Sequence, residues 1–186
     1  MCKIINQENS THLSVSGNKK GDNNGIEIMA KKINQIKDLE EKNIRGDFSI
    51  IEEISKAVEG RNNFSFATKF CAYVSNISVN IEDKDRDKFV IYDNIIANVL
   101  PYFCWKYLST SDYINENQKS IIKNKIVNKN GKNDYQSFIK IIDKIIESSS
   151  KNTGYKISRR NFDKLIWYFY KGDSELIEYA LSFIKK

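Results

Sequence analysis

From Ile26 onward, apolar residues recur mostly at steps of three and four rather than two. That is the helical period, and it leaves little room for a sheet. Ile26, Met29, Ile33, Ile36 and Leu39 predict an amphipathic helix over 26–42. Phe48, Ile51, Ile54 and Val58 predict a second, with Asp47 as its N-cap and Gly60 as its stop. Phe66, Phe70, Tyr73, Val74 and Ile77 predict a third, capped by Asn62 or Asn63. The apolar run Phe89-Val-Ile-Tyr-Asp93 leads into a fourth over 93–108, which Pro101 is expected to kink or divide. Further helices are expected at 116–127, 134–149, 158–170 and 173–185, with Ser158 and Asp173 as caps. Hairpin signals are few, and no βαβ alternation appears. The expected fold is all-α: a single compact domain of about seven or eight helices over 26–186, preceded by a flexible or irregular polar tail over 1–25.

Composition narrows the chemistry. A chain of 186 residues suits one domain, and ten Phe, ten Tyr and two Trp furnish its core. The only His, His12, lies in the polar stretch, so a Ser-His-Asp triad or a Cys-His pair has no rigid base to build on. Cys2, Cys71 and Cys104 lack the paired spacing of a zinc site, and Cys71 and Cys104 read as buried thiols. The longest apolar stretch, 95–105, is too short to span a bilayer, and residues 1–25 lack the apolar core of a signal peptide. The expectation is a soluble cytoplasmic protein with no metal, no other cofactor and no membrane partner.

Two residues stand out as a potential reactive pair. Lys69 flanks the apolar stripe of the third predicted helix, and Asp93 opens the fourth. A lysine amine beside an apolar wall loses hydration, which frees it as a nucleophile. A neighbouring carboxylate takes protons or steadies a cation. The structural alternatives are a lysine that snorkels to solvent and a plain N-cap aspartate.

The segment Ser65-Phe-Ala-Thr-Lys69, an aromatic helix after it, and an apolar run ending in Asp93 before an aliphatic helix resemble the core of the helix-hairpin-helix DNA glycosylase superfamily. The likeness is closest to the 8-oxoguanine DNA glycosylase-like branch and to related bacterial proteins with the same SFATK and IYD pattern. It covers about residues 60–105. The resemblance implies Lys69 as catalytic lysine and Asp93 as catalytic aspartate, 24 positions apart, with the additional length in the charged loop 80–88. It implies a base flipped into a pocket, attack of the lysine on the sugar, and strand cleavage through a Schiff base. Phe66, Tyr92, Trp105 and Trp167 are candidates for stacking on a base, with core packing as the alternative. In the family a glycine-rich hairpin before the Thr-Lys pair holds a phosphate. Here only Gly60 remains, and Asn62 and Asn63 with the helix start are the candidate donors.

Net charge is +6 with a pI near 9.0, which permits a polyanion partner. Only five of the thirty basic residues are Arg, and Lys, Asn and Ile share A/T-rich codons, so codon usage accounts for part of the excess. Lys119, Lys123 and Lys125 belong to a run without carboxylates, and Arg159 and Arg160 open an apolar helix. These are the candidate phosphate contacts. Cations at a helix start oppose the dipole, so an anion from protein or ligand is expected beside Arg159-Arg160. The helix after them, with Phe162, Leu165, Ile166, Trp167, Phe169 and Tyr170, belongs either in the core or at a partner interface. The expected partner is DNA, and the alternative is a non-enzymatic helical module of bacterial type, with defence as one setting for it, that binds nucleic acid or another protein.

Overall fold

The computed structural model describes residues 1–9, 24–58, 63–77, 86–108 and 134–183, and every regular element among them is a helix. They group into two compact units, Met1–Tyr92 and Asp93–Lys186. The predicted helix at 116–127, His12 and Gly60 lie outside the described residues.

The first unit holds α1 (Cys2–Asn9), α2 (Asn24–Asn34), α3 (Leu39–Arg45), α4 (Ser49–Ser55) and α5 (Phe64–Ile77). Residues 2–9, which fall in the expected polar tail, form a helix because Cys2 and Ile5 have a core to enter. The expected single helix over 26–42 is two. The first ends at Asn34, and Asp38, in the left-handed conformation at φ 54°, stands as N-cap of the second, while the apolar spacing runs on past the break. The N-cap of α4 is Phe48 and not the expected Asp47, which stands one residue earlier and accepts the Ser49 amide on its Oδ1 at 3.0 Å. Helix α5 packs against α1, α3 and α4, so it is enclosed on most sides. Met29, Ile50, Ile51, Ile54 and Phe66 complete this core.

Gly46 ends α3 at φ 73°, its amide reaching the Asn43 carbonyl. A Cβ there would stand 3.2 Å from Lys88 Cδ. Gly46→Ala is therefore expected to cost about 1–2 kcal/mol, chiefly from the left-handed backbone. Urea unfolding measures it, and an unchanged midpoint would refute the strain.

The second unit holds α6 (Asn94–Tyr107), α7 (Tyr135–Thr153), α8 (Arg159–Tyr170) and α9 (Ser174–Ser182). Helix α6 packs on the other three. Val99, Leu100 and Phe103 meet a core that includes Phe138, Ile142, Ile145, Phe162 and Ile166. Of the two outcomes expected at Pro101, a kink or a division, the division does not occur: α6 is one helix through it, and Pro101 is buried. Ser158 and Asp173 cap α8 and α9 as expected. All three cysteines are buried and none forms a disulfide. No described helix is long and apolar enough to cross a membrane.

Candidate functional site

Lys69 sits deeper than its sequence position suggested. Phe66, Ala67, Thr68, Phe70, Cys71, Ala72 and Ser75 of α5 are all buried, and Lys69 itself is only 5% exposed. A helix surrounded by three others leaves its lysine no short route to water. The residue does have interactions within the fold.

Thr68 is fully buried, and its hydroxyl makes two hydrogen bonds. It donates to the Ser65 carbonyl at 3.0 Å and accepts the Tyr92 amide at 3.0 Å. The Phe64 ring meets Tyr92 edge-on with centroids 5.2 Å apart. Phe89 and Val90 are buried, and Phe89 packs edge-on against Phe48. Residues 89–92 are thus fastened to α5 by the Thr68 hydroxyl and the Phe64–Tyr92 ring pair, and to the start of α4 by the Phe89–Phe48 pair.

Asp93 opens the second unit as the N-cap of α6. Its backbone is extended, and its Oδ1 accepts the amides of Ile95 at 2.9 Å and Ile96 at 3.1 Å. That satisfies two of the donors a helix start leaves open. Lys69 and Asp93 therefore belong to different units, the first enclosed in its core and the second at a helix start.

The candidate phosphate contacts divide. Asn63 is buried before α5; its backbone N–H donates to the Ser55 carbonyl at 3.0 Å and its backbone carbonyl accepts the Ala67 N–H at 2.9 Å. Asn62, Lys119, Lys123 and Lys125 lie outside the described residues. Arg159 has the anion expected beside it: Nε and Nη2 each reach Asp143, both at 2.7 Å, in a two-pronged pair. Its planar fork is occupied by protein. Arg160, one residue on, is exposed.

The stacking candidates divide likewise. Phe66 is 1% exposed and stacked on Phe70, which makes it core. Trp105 packs with Tyr102 and Phe183. Trp167 is 48% exposed, with the Lys171 ammonium 3.9 Å from its ring centroid.

One feature escaped the sequence reading. An open groove of about 430 Å³ in the first unit is lined by Met1, Ile26, Ala30, Ile33, Leu39 and Phe70, among others. It exists because α1 docks, and nothing in the polar stretch signalled that docking. Among the described residues no cluster of His, Cys, Asp and Glu could hold a metal ion.

No family model matches the chain, and no solved structure matches it. An uncharacterized protein of Haemophilus influenzae is 33% identical over 81 residues. That alignment covers 42% of this chain and 35% of the relative, so the likeness spans about a third of the relative's length.

Proposed function

We propose that the chain is a DNA-binding protein that acts on a damaged, flipped-out base in the manner of a glycosylase with lyase activity. Lys69 Nζ would form a bond to the anomeric carbon of the sugar as the glycosidic bond breaks and the base leaves with its electron pair. The base takes up a proton, and the amine loses its own as the ring opens to a Schiff base. Elimination of the 3′ phosphate then cleaves the strand. Asp93 would relay protons and steady positive charge on the sugar. What supports this reading, beside the resemblance of the Ser65–Lys69 and Tyr92-Asp93 segments, is the clasp between Thr68 and Tyr92. It ties the residue before one member of the pair to the residue before the other.

The second reading is a non-enzymatic helical module that binds nucleic acid or protein. The capping role of Asp93 and the deep burial of Lys69 favour it. Borohydride trapping on abasic and 8-oxoguanine duplexes separates the two. The enzymatic reading expects a covalent adduct with the wild type and none with Lys69→Ala. Asp93→Asn keeps a capping oxygen but loses the charge, so it is expected to slow trapping at least about tenfold through lost acid–base assistance. Absence of adduct from a protein that binds the same DNA would leave the binding module standing.

A further inference from the structure

Within the second unit, α6 and α9 bring a cluster of aromatic rings to the surface. Phe183, just past the end of α9, stacks on Trp105 with centroids 5.7 Å apart and meets Tyr179 edge-on at 5.0 Å. Tyr102 lies 5.9 Å from both Phe183 and Trp105. Leu176, Tyr179 and Phe183 stand at i, i+3 and i+7, so they share one stripe. These three and Trp105 are each more than a third exposed, and Tyr179 is 64% exposed. Single apolar residues at a surface are ordinary; a contiguous group of rings is not. An acidic row edges the stripe. Glu175 stands four residues before Tyr179, and Glu178 three residues after Glu175. Both are exposed, and neither carboxylate has a hydrogen bond or ion pair among the described residues. The helix dipole accounts for Glu175 in the first turn, but not for Glu178. Helix α9 has no basic residue, in a chain of net charge +6. Lys185 and Lys186 follow it outside the described residues.

We infer that this face docks an arginine-bearing basic segment of a partner protein, with guanidinium planes against Tyr179 and Trp105 and their N–H groups on Glu175 and Glu178. A guanidinium stacks on an aromatic face and donates in its own plane to a carboxylate, so one side chain satisfies both features of the surface. Trp, Tyr and Arg are also the residues that most often anchor protein interfaces. A purely apolar partner would strand the two carboxylates away from water, and phosphates would be repelled by them. Tyr102 supports the cluster rather than contacting the partner, because the Lys106 ammonium already lies 5.7 Å from its ring centroid. The inference concerns a surface apart from Lys69 and Asp93 and does not rest on the proposed function.

The test uses the full chain carrying Trp167→Phe, which leaves Trp105 as the sole tryptophan. Titration with fluorescein-labelled nona-arginine is expected to quench Trp105 emission. Unlabelled nona-arginine should displace the probe, and nona-lysine at least about threefold less well, because an ammonium has no planar fork. Glu175→Gln and Glu178→Gln together are expected to weaken binding at least about fivefold. Tyr179→Ala is expected to weaken it at least about threefold. Glu40→Gln with Glu41→Gln, at exposed carboxylates of the first unit, controls for bulk charge and should change it less than about twofold. Circular dichroism checks that these exposed replacements leave the fold intact. No quenching overturns the inference, as does binding that survives the Glu175 and Glu178 replacements or that the control pair weakens equally. Equal quenching by a labelled oligo(dT) strand would make the face a nucleic-acid surface. Self-association in sedimentation that Tyr179→Ala abolishes would make it a contact between copies. Binding only by a variant ending at Phe183 would mean that Lys185 and Lys186 of the same chain occupy it. Each of these three results also overturns the inference.

Discussion

Phe138→Ala is expected to destabilise the second unit by about 3–5 kcal/mol. The ring is fully buried on the first turn of α7 and packs against Tyr135 with centroids 5.7 Å apart. Truncation removes its transfer free energy and leaves a void that helices on several sides cannot close. Urea unfolding followed by tryptophan emission reads the effect, because Trp105 and Trp167 both belong to this unit. At a slope of about 1–3 kcal/mol per molar urea, the midpoint should drop by more than about 1 M. Tyr168→Ala, at a residue 79% exposed, is the control and should move it little. A loss below about 1 kcal/mol for Phe138→Ala would mean that the ring is not enclosed as described.

Asn43→Asp is expected to cost the first unit about 3–5 kcal/mol at neutral pH, the size seen when a buried charge lacks its partner. Asn43 is 1% exposed; its amide Nδ2 donates to the Cys71 carbonyl at 3.1 Å, and its Oδ1 accepts the Ser75 hydroxyl at 2.6 Å. A carboxylate can keep the second bond but turns an oxygen toward the carbonyl of the first. Burial and that repulsion favour the protonated acid, so the folded pKa of the introduced group must lie above its unfolded value of about 3.9. A raised folded pKa leaves stability intact below the unfolded value and removes it as pH rises through the folded one. The difference between variant and parent should therefore shrink as pH falls toward 4. A penalty that stays constant between pH 4 and 7 would refute the electrostatic origin.

The helical class was legible because three- and four-residue apolar spacing survives any rearrangement of neighbours. Asp93, Ser158 and Asp173 were legible as caps because a capping side chain acts on amides two or three residues away. The break at Asp38 was not, since periodicity registers where side chains fall and not the dihedral of one residue. Nor was the depth of Lys69. Helix α5 is apolar around much of its girth, and such a helix carries no stripe from which depth could be read. The Arg159–Asp143 pair spans 16 positions, so its partner could not be named, yet the cation misplaced at a helix start announced that an anion was needed. Asn43 gave no signal at all, because its worth depends on a carbonyl and a hydroxyl brought to it by α5.

Each unit also contains a thiol sealed from water, Cys71 in the first and Cys104 in the second. Burial pushes the Cys71 thiol well above its ordinary pKa, and an un-ionised thiol does not attack a disulfide reagent. Its modification in native buffer must wait until α5 opens, so the reaction rate becomes a stopwatch for that opening. Cys104 keeps separate time for α6. Comparing the two rates in one unlabelled sample tells whether the helices breathe in concert or each at its own tempo.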